Sequence, residues 1–280
     1  MAGLILTAAV TGVIGLGLGG FIGILIGGIS KKVNAVILSF SAGTMISLIC
    51  FELVHEAMEA GMHTPYIALI LLLSSGLVAV LDYIVDSRSG HSDDFIACEE
   101  CDEKGLSPNK VNTKMRTQKV VKQRSKRLQM MLAGLMTAAA VAIHNIPEGM
   151  SIGALYAKDG GLSSAVTVLL MGIIIHNIPE GIAISVSLTS SGMNKRRAVG
   201  VAALSGAPTI IGAVIGYVIG CSEGSMGPAI ALCFAAGTLL YVVFGEILPQ
   251  SINQYSSRKT AYAAIVGFAA GLIIIGSHVH

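Results

Sequence analysis

Eight stretches of this chain stay apolar for the roughly 20 residues an α-helix needs to cross a hydrocarbon layer about 30 Å thick. They run at approximately 4–29, 33–57, 65–86, 128–156, 162–188, 198–220, 228–250 and 260–277. Composition agrees with this reading. Only 12% of the residues are charged and the mean hydropathy is +0.76, whereas a soluble domain carries about 25% charge. This argues against an ordinary soluble enzyme, and no nucleic-acid partner is indicated. Abundant glycine with few aromatics points to an all-α integral membrane protein of close-packed small-residue helices and not to a β-barrel. The lipid bilayer is its first expected partner. The first stretch has no lysine or arginine ahead of Lys31 and is long and glycine-rich, so it reads as a true span and not as a cleavable leader.

The basic residues orient the spans. Of 18 lysines and arginines, 17 fall in the loops after spans 1, 3, 5 and 7, and Lys158 alone falls on the other side. By the positive-inside rule those four loops are cytoplasmic and both termini lie outside. Residues 87–127 form the one long loop, acidic from His91 to Glu103 and basic from Lys114. It is expected to be disordered or partly helical, with its basic half near anionic headgroups. Within it Cys98, Cys101 and His91 are candidate donors for a soft metal. The alternative is a solvated charged loop. The five cysteines make no disulfide framework.

Two internal repeats follow. Phe40–Ala57 matches Phe234–Ser251 without a gap, pairing Gly43 with Gly237, Thr44 with Thr238 and Glu52 with Glu246. Span 2 runs outward and span 7 inward, so the repeat is inverted, as in alternating-access transporters. Glu52 is thereby placed toward the outer mouth of a pathway and Glu246 toward the inner one. Glu52, His55 and Glu56 are expected on one helix face, as a pathway entrance or as a polar membrane boundary. Asp82, near the inner end of span 3, reads as a boundary residue.

The second repeat is HNIPEG, at His144–Gly149 in span 4 and His176–Gly181 in span 5. Each copy lies near mid-span, where an ionisable side chain costs roughly 2.5–3.5 kcal/mol. Positions i and i+4 share a helix face, so His144 with Glu148 and His176 with Glu180 are expected to form chelating pairs. Two imidazoles and two carboxylates suit a divalent transition metal, and the carboxylates neutralise it. Pro147 and Pro179 lack the N–H that would reach the carbonyls of Ile143 and Ile175. Asn145 and Asn177 either add amide ligands or hydrogen-bond between helices. An intramembrane hydrolase and a passive metal channel or receptor are competing classes. No HExxH motif occurs, and four protein ligands leave no position for a zinc-activated water.

These motifs, the eight spans, the outside termini and the long loop after span 3 resemble the ZIP family of divalent metal transporters, especially its GufA-like prokaryotic branch. The resemblance implies a 3+2+3 inverted repeat: a first three-helix unit over 1–86, the loop 87–127, the metal-site helices over 128–188 and a second three-helix unit over 189–280. It implies zinc transport into the cytoplasm, with Cd2+, Fe2+ or Mn2+ as variants; the ion is substrate, and no cofactor is implied. His144, Glu148, His176 and Glu180 look like the primary site, with Met45 as a contact and Asn145 and Asn177 in a second site. Ala207 stands where some relatives carry a glutamate before the proline, so one tight metal is expected and any second one is weak. A homodimer in a bacterial inner membrane is also implied. So is a group of spans 1, 4, 5 and 6 sliding against spans 2, 3, 7 and 8, with the glycines of span 1 allowing the close contact that sliding needs.

Overall fold

In lipid, every backbone N–H and C=O must be satisfied inside the segment itself or in a closed barrel, and this chain takes the helical solution. The computed structural model describes residues 1–27, 30–89, 108–221 and 226–276, with no strand among them. Its helical rods are α1 (Ala2–Ile26), α2 (Lys31–Glu59), α3 (Thr64–Ser89), α4 (Pro108–Lys158), α5 (Ser164–Ser190), α6 (Lys195–Gly220), α7 (Met226–Gln254) and α8 (Arg258–Gly276). Among the described residues, seven helices, all but α4, contain a stretch long and apolar enough to cross a membrane. The expected fourth span, 128–156, forms the C-terminal part of α4, a 51-residue helix that begins at Pro108. The basic half of the loop is thus helical and continuous with the expected fourth span. His91, Cys98 and Cys101 lie outside the described residues.

The turns are short and chemically specified. Ser30, Ser163 and Asn194 cap α2, α5 and α6, their side-chain oxygens accepting from the backbone N–H of Val33, Val166 and Arg196. α1 stops at Gly27, whose φ of +73° is open to glycine at no steric cost.

Among the described residues, three helices are locally underwound into π-type turns, at Val10–Ile14 of α1, Ile49–Leu53 of α2 and Val242–Ile247 of α7. Those of α2 and α7 coincide in the register of the long repeat, so Glu52 and Glu246 occupy equivalent places in equivalent distortions. Such turns cluster at functional sites, because each one displaces a side chain from the regular helix face. α6 is itself interrupted at Gly206 and Ala207, ahead of Pro208. There it meets the π-turn of α1: a Cβ on Gly206 would lie 2.2 Å from the carbonyl oxygen of Gly12.

Packing is heaviest within two groups of rods, α1, α4, α5 and α6 in one and α2, α3, α7 and α8 in the other, while α7 also packs on α4 and α6, and α2 on α5. Within the first group backbones touch. A Cβ on Gly19 would fall 2.1 Å from Ile178 O of α5, and one on Gly212 would fall 1.9 Å from Ile146 O of α4. Ile146 and Ile178 are the same residue of the two HNIPEG copies, so the α1–α5 and α6–α4 pairs pack alike. In the second group Gly43 meets the backbone of Ala264 and Gly237 that of Leu71, pairing α2 with α8 and α7 with α3. At the boundary between groups, Gly172 of α5 meets the side chain of Leu48 of α2. The expectation for the span 1 glycines is corrected here. Gly12, Gly15, Gly17, Gly19, Gly20 and Gly23 have their nearest neighbours on α5 and α6, inside their own group. Small residues are needed there because two backbones cannot otherwise come that close.

The outer surface is apolar. Leu69, Leu72, Leu73, Leu77 and Val80 of α3 are all exposed, which fits a lipid-facing helix.

Candidate metal centre

The two HNIPEG segments face each other where α4 and α5 pack, and each helix runs through its proline without a break. His144, Glu148, His176 and Glu180 are all buried, at 5%, 1%, 2% and 3% exposure. Four ionisable groups so deep in an apolar protein require a compensating partner.

Their pairing runs between helices and not along each one. His176 Nε2 lies 2.9 Å from Glu148 Oε1, while its Nδ1 lies 3.0 Å from the carbonyl oxygen of Gly172. A ring whose Nδ1–H donates to that carbonyl turns its Nε2 lone pair toward the carboxylate. Two acceptors then face one another, and a proton or a metal cation must lie between them. Hydrogen bonding of the second nitrogen to a carbonyl is how proteins orient ligating imidazoles. Glu148 Oε2 and both carboxylate oxygens of Glu180 have no hydrogen-bond partner among the described residues. Glu180 lies within electrostatic reach of Glu148, His176 and Glu246, and His144 within reach of His176. His144 Nδ1 stands 3.8 Å from Glu246 Oε2. Among the described residues, no three histidine, cysteine, aspartate or glutamate side chains are gathered closely enough to hold one ion.

The two asparagines differ. Asn145 donates from Nδ2 to the carbonyls of Val141 (2.8 Å) and Ser205 (3.2 Å), and its Oδ1 accepts from Thr209 Oγ1. It therefore ties α4 to α6. Asn177 is equally buried, yet neither its oxygen nor its nitrogen has a partner among the described residues. The like packing of the two helix pairs explains this. Where Gly149 rests on Thr209, Gly181 rests on Leu16, and leucine has no hydroxyl to offer.

Met45 is buried and lines a small cavity with Leu48, Ile49, Glu148, Ser151 and His176. Ser41, one turn before it, donates to the carbonyl of His176 at 3.1 Å. The entrance residues do not share one exposed face. Glu52 is buried and Glu56 pairs with Lys158, whereas His55 is exposed and lies 3.3 Å from Glu59. Glu246, expected at the inner mouth, lies in the π-turn of α7 and stands beside His144. Its match to Glu52 was the signal that singled it out. Sequence reasoning missed two partners: Thr209, which holds Asn145, and Tyr241, whose hydroxyl donates to Asp82 Oδ2 at 2.7 Å. Neither sits in a motif.

The profile of the family described as ZIP Zinc transporter matches residues 1–277. The zinc transporter ZupT of Chlorobium chlorochromatii is 28% identical over 271 residues, covering 92% of this chain and 90% of that protein. ZupT of Corynebacterium glutamicum is 38% identical over 149 residues, 51% of this chain and 54% of that protein. The zinc transporter GufA of Myxococcus xanthus is 35% identical over 145 residues, 51% of this chain and 55% of that protein. These last two alignments span about half the length of the relatives. With residues 1–277 matched, the chain belongs to the ZIP zinc transporter family, a family of multi-pass membrane transporters and not of enzymes.

Proposed function

We propose that this protein carries a divalent transition metal, zinc first, into the cytoplasm by alternating access, through His144, Glu148, His176 and Glu180. One observation carries the reading: three buried carboxylate oxygens of Glu148 and Glu180 have no partner among the described residues, beside an imidazole whose Nδ1 is held by Gly172 and whose Nε2 meets Glu148 Oε1. Two carboxylates cancel a dication's charge, and two imidazoles favour borderline metals such as Zn2+ or Cd2+ over Mg2+ or Ca2+. Ligation by all four groups requires their side chains to converge further, and Glu246, 3.8 Å from His144 Nδ1, is the group that next receives the ion on the cytoplasmic side. Asn177, with a free amide, is the better candidate for an added ligand; Asn145 is held between helices. With Ala207 in place of a carboxylate, a second ion binds weakly.

The chain is read as eight spans in a 3+2+3 inverted repeat with both termini outside. The coincident π-turns and the two like-packed helix pairs support this reading. A bacterial inner membrane and a homodimer are carried over from the family resemblance. The test is uptake into proteoliposomes with zinc, cadmium, iron(II) and manganese offered in parallel. Saturable zinc or cadmium flux is expected, and His176→Ala and Glu180→Gln should both abolish it. Stoichiometric zinc binding without flux in the unmodified chain would overturn the carrier reading.

A further inference from the structure

Lys158 is the one basic residue that the charge pattern leaves on the outer side, and its ammonium donates to Glu56 Oε2. The contact lies at the protein surface, with the two side chains keeping 26% and 13% of their exposure. It joins the last residue of α4 to the outer turn of α2, and so crosses the boundary between the two helix groups. Glu52 lies in electrostatic reach of this ammonium and of Glu56, Glu59 and Asp159. Carboxylates therefore outnumber the ammonium at this end of the helices. Just inward, Ser151 of α4 is buried against the cavity that Glu148, His176 and Met45 line.

We propose that the Lys158–Glu56 pair is an outer latch, which holds the first helix group against the second with the midplane donors closed to the outside and opens when a divalent cation takes Glu56 from Lys158. The inference rests on the alternating-access reading above. If α4 moves past α2 to expose its donors, this contact must part, since it spans the two moving groups. A dication outcompetes an ammonium for a carboxylate set of this charge, so the arriving substrate releases the latch. Lys158 also sits well at the C-terminal end of a helix dipole. That role alone would leave Glu56 without effect, which separates the two accounts.

The test uses the full chain in intact cells, with its five cysteines replaced by alanine and Ser151→Cys as the reporter. A membrane-impermeant maleimide is applied from outside without added zinc. Lys158→Gln and Glu56→Gln should each speed labelling about five-fold, the size of a modest coupling between two states. The double variant should be no faster than either alone, and the exchange Lys158→Glu with Glu56→Lys should return the rate to its starting value. Unchanged labelling in both single variants, or effects that add, would overturn the latch. Should a single variant fail to accumulate, the exchange still decides, because only a direct pair is restored by swapping its partners. Labelling changes without any zinc uptake by the unmodified chain would refute the carrier reading but not the latch; normal uptake with unchanged labelling would do the reverse.

Discussion

Asn145 and Asn177 hold the same place in identical six-residue motifs, yet only one is bonded. Asn145 joins α4 to α6 through Val141, Ser205 and Thr209, so Asn145→Leu strands a hydroxyl and should destabilise the protein by about 1 kcal/mol. Asn177 has no partner to lose, and Asn177→Leu should leave thermal stability in detergent unchanged while weakening the stabilisation that added zinc confers. Melting curves of both variants with and without zinc separate the roles. Equal loss of stability in the absence of zinc would show that Asn177 is structural after all. Within the motif, donor types were legible from the sequence. Which of them is already occupied was not, because Thr209 and Leu16 are brought to them only by helix packing.

At the scale of the helix, α6 offers a controlled comparison. A Cβ at Gly212 would meet the backbone oxygen of Ile146 at 1.9 Å, whereas one at Gly200 would meet nothing within 4 Å. Backbone cannot yield as a flexible side chain can, so Gly212→Ala must push α6 off α4 and should cost about 1–3 kcal/mol. Gly200→Ala should be neutral or stabilising by up to about 1 kcal/mol through lower chain entropy. Thermal unfolding of both in detergent checks this. A harmless Gly212→Ala would mean that the α4–α6 contact is looser than described.

For the whole molecule, the division into two helix groups makes a mechanical prediction. A disulfide between Leu48→Cys on α2 and Gly172→Cys on α5 would bridge the groups, where Gly172 meets the Leu48 side chain. It should stop zinc uptake until reduced. A disulfide between Gly20→Cys and Ala202→Cys, whose Cβ positions approach to 3.1 Å inside the first group, should leave uptake intact. Both pairs are placed in a chain cleared of its native cysteines. Uptake that survives the first bridge would rule out motion between these groups.

Run lengths of apolar residues determined that the chain is helical and membrane-spanning, because lipid leaves the backbone no other local way to satisfy its hydrogen bonds. The repeated HNIPEG motif likewise singled out His144, Glu148, His176 and Glu180 as candidate donors, and the long repeat matched Glu52 to Glu246. Tertiary structure decided the rest. It paired His176 with Glu148 across helices, set Glu246 beside His144, turned the α1 glycines inward onto α5 and α6, and joined Lys158 to Glu56. Helical periodicity fixes which residues share a face of one helix. Which face meets which neighbour depends on backbone approach between segments far apart in the chain, and no local pattern encodes that.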